Sequence, residues 1–584
     1  MLSILYMKHK IYAGKFIFLI GIVSIFVSIN STSLVAQGVY VPTANKDYYH
    51  LLDRMDIVAP LSKPFVHTSN KPSDRQFIGQ WVDSLSKDSS QKFSKRDVFN
   101  LQYLSHDNNE WSNYADHTSK RALLKTFYTN KADFYHVATD GLDLHINPVI
   151  HFQYGKDNQT PQNIYTNTRG LELRGHISKK IGFYAYMADN QALFPYYVRS
   201  YGNFLNVPGV PGEGYTKGFK GNGSDFITGR GYITFNVVKN ISVQFGHDKN
   251  FIGNGYRSMI LSDFSSNYTF LKLNTKVWKL NYTNIFAQLV GDVFYRNEML
   301  PKKYFAFHHL SVNLTKNINV GLFESIIFGR KDSLNNGAFD INYMNPIIFY
   351  RSAEIQQGSP DNALLGMDYK VNFLRHFSWY GQVVLDEFVF RKLLKNDGYY
   401  GNKYALQMGL KYINLFGIKN LDAQMEYNMA RPYTYSHKDI YKNYAHYRMP
   451  LAHPLGANFR EVLGILRYQP LNSVSITAKA FLTQFGTDTS NTSTSGLDNW
   501  GSNVMKNYDA ASAVRPFGNV TGQGIKNNVV LLSLNISWML RHNLFLDFTQ
   551  VLRSQTVSIA ARSYNTSVTS VGLRWNIPQR VHEF

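Results

Sequence analysis

From residue 141 to residue 577 the chain alternates apolar and polar residues, one by one, over stretch after stretch. Leu532, Leu534, Ile536 and Trp538 share one parity, with Ser533, Asn535 and Ser537 on the other. Leu421, Ala423, Met425, Tyr427 and Met429 likewise flank Asp422, Gln424, Glu426 and Asn428. In Leu365–Phe373 the polar parity carries Gly366, Asp368, Lys370 and Asn372. Successive side chains of a strand point to opposite faces, so each stretch reads as a strand with one apolar and one polar side. Eighteen such strands are legible, from 141–154 to 565–577. Short joints (Lys179-Lys180, Lys239-Asn240, Thr315-Lys316-Asn317, Arg541-His542-Asn543) alternate with long loops near 189–228, 248–266, 328–360, 430–457 and 485–526. Short turns on one rim, long loops on the other and an even strand count define an all-β transmembrane barrel of about 18 antiparallel strands.

The ends of the chain fit this plan. Residues 1–36 read as a cleaved export signal: Lys8, Lys10 and Lys15, then an apolar run from Phe16 to Ile29, then a small-residue site ending at Ala36. Met7 is an alternative start. No later stretch reaches the roughly 20 apolar residues of a spanning helix, and a closed barrel is the other way to satisfy backbone groups in lipid. Charged residues make up 17% and aromatics 15%, against about 25% charged in soluble domains. With no cysteine, disulfides, thiolate metal sites and a catalytic thiol are excluded. The outer membrane of a Gram-negative bacterium is the expected location. The final strand, with Val571, Leu573, Trp575 and Ile577 outward, leads to a terminal Phe584 that resembles a barrel-assembly signal.

Residues 37–140 differ and read as a small periplasmic helical cap or plug, with the barrel from 141 to 584. Tyr48 to Met55 is one expected helix. Ser73 with Gln76 resembles a capping box ahead of Phe77, Ile78, Trp81, Val82 and Leu85, and Ser94 with Asp97 opens a third helix.

No GxSxG, HExxH or phosphate-loop pattern is present, so no catalytic residue, metal or cofactor is assigned and no enzyme activity is expected. Gly253 and Gly255, in "FGHDKNFIGNGYRSMILSD", follow a strand, but another strand and not a helix comes next, which removes the nucleotide reading. His308-His309 and Asp386-Glu387 are adjacent pairs whose side chains should diverge on strands. The formal charge is +21, and removal of the three signal lysines leaves about +18. A basic, aromatic-rich surface attracts polyanions, and lipid headgroups would share some of that charge. Nucleic acid is not an expected partner of an exported barrel.

Several blocks resemble one family: "YYHLLDRMDI", "LLKTFYTNKADFYHV", "NTRGLELRGHISKKIGFYAYMADNQ", "GHDKNFIGNGYRSMILSD", "NNGAFDINYMNPIIFYRSAEIQQGSPDNALLGMDYK" and "HYRMPLAHPLGANFRE". They are similar to the Wzi-like capsule assembly proteins, and more closely to the Bacteroidota branch that includes the gliding-motility protein RemB. The resemblance implies an outer-membrane barrel with a periplasmic helical bundle that binds or organises capsular or exopolysaccharide at the cell surface. The alternatives are a gliding or adhesion component acting through protein partners, and a channel or porin. From the long loops we expect an anionic polysaccharide to meet Lys249, Asn254, Tyr256 and Arg257; Arg330, Asp340, Asn342, Tyr350 and Arg351; and His446, Tyr447, Arg448 and His453.

Overall fold

The computed structural model describes residues 38–60, 66–88, 93–120, 122, 124, 126–205, 210–292, 300–329, 339–346, 361–387, 389–395, 397–488, 499–509 and 515–584. Eighteen antiparallel strands close into one barrel. They are β1 (Leu142–Asp157), β2 (Ile164–Ile177), β3 (Ile181–Leu193), β4 (Gly223–Val238), β5 (Ile241–Asp248) and β6 (Tyr268–Val277). Next come β7 (Leu280–Val290), β8 (Lys302–Asn313), β9 (Ile318–Phe328), β10 (Asn362–Phe373), β11 (Phe377–Leu385) and β12 (Tyr404–Tyr412). The last six are β13 (Leu421–Ala430), β14 (Phe459–Leu471), β15 (Val474–Thr487), β16 (Ile525–Arg541), β17 (Leu544–Val557) and β18 (Tyr564–Trp575). β18 pairs with β1 from Val568↔Asp157 to Trp575↔Ile150, which closes the ring. Below that point the free edge of β1 is taken by a short strand, Tyr135–Ala138.

Alternation decides which side chains face out. On β13, Met425 is 62% exposed on the outer wall, while Asp422, Gln424, Glu426 and Asn428 are buried inside. Leu532, Leu534 and Trp538 of β16 point outward as their spacing requires. One outer patch breaks the apolar rule. Asn284 on β7, His308 on β8 and Glu324 on β9 share the outward parity and are nevertheless buried, with His308 Nδ1 2.6 Å from Asn284 Oδ1. Residues 339–346 lie against this wall: Tyr343 packs with Phe286, Ala306, Ile326 and Phe328, and the Tyr282 hydroxyl donates to the Pro346 carbonyl. His309 points inward to Asp368, so the two adjacent histidines do diverge.

The lumen is filled from both rims. From the short-turn rim come three helices, α1 (Lys46–Val58), α2 (Arg75–Lys87) and α3 (Lys95–Asp107). Ser94 and Asp97 open α3 as expected, and do so as a capping box. The second cap is Asp74 and not Ser73: the Asp74 carboxylate accepts from the Gln76 N–H. Tyr48, Leu52, Ile78, Trp81, Leu101 and Leu104 make the apolar core of this region. Its charged face meets the wall: Arg54 pairs with Asp97 and with Asp422 of β13, Lys370 of β10 with Asp56, and Lys411 of β12 with Asp53. From the long-loop rim, residues 249–267 turn inward, and Phe251–Ile252 pair with Asn70–Lys71 as a two-stranded ribbon inside the barrel. The chain after β18 also re-enters the lumen. Gln579 donates to Asn535 of β16, and Phe584 packs against Tyr201 and Phe264. Phe584 is therefore buried inside and does not present an outward terminal aromatic, because the strand stops at Trp575 and the tail folds back.

The outer wall makes a direct prediction. Met425→Arg places a cation on the outer face of β13 and should cost about 2–4 kcal/mol in vesicles if that face meets lipid near mid-depth. Urea unfolding of vesicle-inserted protein measures it, and a neutral result contradicts a lipid-facing β13.

Candidate functional site in the filled lumen

The inward loop 249–267 is built around a carboxylate of the wall. The backbone N–H groups of Tyr256 and Arg257 donate to Glu426 Oε2 and Oε1 at 2.8 and 3.1 Å. Tyr380 and Asn428 donate to the same carboxylate, at 2.8 and 2.9 Å. The two glycines of this loop are explained here. Gly253 sits at φ +134°, where a Cβ would fall 2.2 Å from Gln382 Nε2, and a Cβ on Gly255 would fall 2.6 Å from Glu426 Oε2. They let backbone approach the wall, which is the close-approach use of glycine and not a phosphate cradle.

Arg257 then carries the constellation across the lumen. Its Nε and a terminal nitrogen donate to Glu461 of β14 at 3.2 and 3.3 Å, and it also donates to the carbonyl of Glu583. Burial disfavours the guanidinium charge, but Glu461 and Glu583 outweigh it and hold its pKa above the ordinary arginine value. His453 Nε2–H reaches Glu461 at 2.9 Å while its Nδ1 accepts from the Leu455 N–H, and its ring stacks on Phe459. Glu583 accepts from Lys479 of β15 at 2.7 Å and from the Tyr256 hydroxyl. Burial of these charges is tolerable because each is paired and hydrogen-bonded. The arrangement pins the loop, the re-entrant tail and the wall to one another; it holds no base poised on a nucleophile.

The expected contact residues are distributed unevenly. Tyr256, Arg257 and His453 meet in this network. Asn254 is buried, accepting from Thr68 at 2.6 Å, and its carbonyl accepts from Lys411 at 2.7 Å. Lys249 donates to the carbonyls of Gly212 and Asp263, and burial lowers its pKa. His446 is buried, its Nδ1 accepting from the Val290 N–H and its Nε2–H donating to the Asn267 carbonyl; burial pushes its pKa to about 3. Asn254, Tyr256, Arg257, His446 and His453 therefore pack the loops inside the barrel: inward wall charges recruit all but His446, which is held by backbone groups of Val290 and Asn267. Tyr447 and Arg448 are half-buried and form a two-residue hairpin turn, both with positive φ, and Arg448 pairs with Asp292. Asp340 caps a short exposed turn and accepts from the Asn342 N–H. Arg330, Tyr350 and Arg351 lie outside the described residues.

Several cavities border the tail. One, about 220 Å³, is lined by Lys249, Arg257, Arg230, Glu213, Arg580 and Glu583. Another, about 180 Å³ and nearer the short-turn rim, is lined by Arg54, Arg75, Arg174, Arg467, Glu172 and Asp422. At the long-loop rim, segments 386–403 and 515–524 join through backbone hydrogen bonds, including Tyr400 N–H to the Pro516 carbonyl. They gather Lys392 over the Phe517 ring at 4.5 Å, Tyr399 beside Phe517 and Tyr400 beside Tyr399. This aromatic and cationic cluster was not expected from sequence; "GYYG" and "RPFG" lie more than a hundred residues apart. Asp386 and Glu387 do not diverge. The strand ends at Leu385, so both reach Lys403, at 3.2 and 3.5 Å.

The family model described as "Capsule assembly protein Wzi" matches residues 139–527. The chain belongs to that family. Among solved structures, Wzi of Escherichia coli is similar with a TM-score of 0.55 and 13% identity, covering 94% of this chain and 100% of that one. That protein is described as an outer-membrane, carbohydrate-binding β-barrel involved in group 1 capsule assembly. OprD of Pseudomonas aeruginosa is a looser likeness, at TM-score 0.40 and 9% identity over 75% of this chain and 96% of that one. No curated protein matches the sequence significantly. The protein is thus a Wzi-family outer-membrane β-barrel, and its wall strands and lumen network fall largely within the matched span.

Two outcomes follow from the network. Arg257→Ala leaves Glu461 buried without its guanidinium and should cost about 3–5 kcal/mol, read as a lower urea midpoint. Acid should also destabilise the fold. His446 and His582 are held neutral, each near 3 against an ordinary 6.5, so the unfolded chain binds protons that the folded chain refuses. Stability is present above about pH 6.5 and falls toward pH 3 by about 1.4 kcal/mol per unit for each. His446→Asn should flatten that slope; an unchanged slope in unfolding titrations would count against the burial described.

Proposed function

We propose that this Wzi-family protein binds and organises an anionic surface polysaccharide, with its long-loop rim facing outward, its helices in the periplasm and residues 1–36 removed as an export signal. The observation that carries the reading is the filled lumen. Loop 249–267, loop 431–458, the helices and the re-entrant tail occupy the barrel interior, which leaves the loop rim as the place where a long polymer meets the protein. The formal charge of +21 favours a polyanion. Lys392, Tyr399, Tyr400, Phe517 and Arg515 supply ring faces and cations suited to acidic sugars. Of the expected set, Asn342 is exposed beside Asp340 on a short turn, and Tyr447 and Arg448 are partly buried in a hairpin turn. Lys249 and Arg257 face the inner cavity, while Asn254, Tyr256, His446 and His453 position the loops. Many weak contacts along a repeating polymer supply the affinity. The carbohydrate binding described for Escherichia coli Wzi supports the same class of ligand. The role is non-catalytic and needs no cofactor; outer-membrane lipid surrounds the wall.

The test is gene deletion, followed by measurement of cell-attached against shed polysaccharide and of colony spreading. The reading expects polysaccharide to move from the attached to the shed fraction, with partial restoration by Lys392→Ala/Phe517→Ala and full restoration by the wild-type gene. Loss of spreading with polysaccharide still attached favours the gliding role through protein partners. No change in either overturns both.

A further inference from the structure

At the short-turn rim, three neighbouring strands present histidine and carboxylate groups on one face. His136, on Tyr135–Ala138, lies directly opposite His145 of β1, and their rings stack at 4.3 Å. Asp143 shares the parity of His145, and across the next pairing it stands opposite His176 of β2. Glu110 and Asp133 approach the same face from the segment that follows α3. We propose that this cluster is a binding site for a divalent transition-metal ion of the zinc class, with His136, Asp143 and His145 as ligands and His176 or Glu110 completing the set.

The spacing fits such an ion. Metal–nitrogen and metal–oxygen bonds of about 2.0–2.2 Å in a tetrahedral site place ligand atoms about 3.3 Å apart. Asp143 carboxylate oxygens lie 3.4 Å from His136 Nε2, 2.7 Å from His145 Nε2 and 4.0 Å from His176 Nε2, and Glu110 Oε2 lies 3.9 Å from His145 Nε2. The ligand atoms of His136, Asp143 and His145 all fall within 4.8 Å of one another. Shifts of about an ångström, within side-chain reach, bring them to one centre.

A second observation points to a ligand at this face. His145 is fully buried, yet both its ring nitrogens lie off the direction of any hydrogen bond to the neighbouring carboxylates. Glu110 Oε2, on a side chain 3% exposed, is also without a hydrogen-bond partner and faces His145. A cation between them is one kind of partner that satisfies such buried polar groups. Asp133 stands 2.9 Å from His145 Nδ1, on the side where a metal-bound histidine finds the carboxylate that orients it. Charge agrees as well. Asp143, Glu110 and Asp133 face one guanidinium, Arg174, which pairs with Glu110 and Asp133. With neutral imidazoles two negative charges are in excess, the complement of a divalent cation. Mixed imidazole and carboxylate donors without thiolate suit zinc and its neighbours better than calcium or magnesium. A bound ion would tie β1 and β2 to the segment after α3, at the joint between wall and helices.

The test uses the intact protein in detergent, with any polyhistidine tag removed. It is equilibrated with Zn²⁺ alone, dialysed, and its metal content measured beside that of His136→Ala/His176→Ala. Both substituted residues are only partly buried, and heat-modifiable migration on gels confirms that the variant is folded. The proposal expects about one zinc per wild-type chain and an affinity at least about a hundredfold weaker in the double variant. Co²⁺ in place of Zn²⁺ should give the strong visible absorption of a four-coordinate site in the wild type alone. Wild-type protein that retains no zinc, or a folded double variant that retains as much as wild type, overturns it.

Discussion

An eighteen-strand barrel encloses a lumen wider than wall side chains alone can fill, and this constraint governs the rest of the structure. Water could occupy that space, as in porins, and the inward charges would then be solvated. Here Glu426, Glu461, Asp422, Lys370, Lys411 and Lys479 instead find protein partners, each on chain that enters the lumen from outside the wall. A buried charge is acceptable only with such partners, so the wall and its fillings specify one another. Arg257 joins the inward loop, β14 and the re-entrant tail.

The filling suits the barrel to the surface-binding role proposed above. The ribbon of Phe251–Ile252 with Asn70–Lys71 joins what enters from the two rims, and His446 and His453 fix the second inward loop. What remains accessible is the loop rim, where cations sit on aromatic rings. That division between a rigid, satisfied interior and a displayed aromatic rim is suited to holding a polymer and poorly suited to passing one through.

The wall was legible in the sequence because period-two alternation with a lipid-facing apolar side leaves little freedom of register. All eighteen strands were located, with ends displaced by a few residues. Those displacements mattered at Asp386-Glu387, where a strand ending at Leu385 brought two expected divergent carboxylates to one lysine. The interior was far less legible. Loops rich in Lys, Arg, His and Tyr look the same whether they face solvent or fold inward to meet buried carboxylates, so the sequence alone leaves Tyr256, Arg257, His446 and His453 as ligand-contact candidates. The path of the tail after Trp575 is hidden for the same reason: nothing local in "NIPQRVHEF" reveals that Lys479 and Arg553 await it inside. The rim cluster of Lys392, Tyr399 and Phe517 and the His136–Asp143–His145 group escaped notice because strand pairing and loop contacts, not sequence proximity, assemble them.

The central claim is that protein fills this lumen from rim to rim. Current through single molecules in a planar lipid bilayer tests it most directly. The account predicts a quiet membrane, without stepwise openings, across moderate voltages at neutral pH. Steady ohmic conductance of the size expected for an open eighteen-strand pore would contradict it.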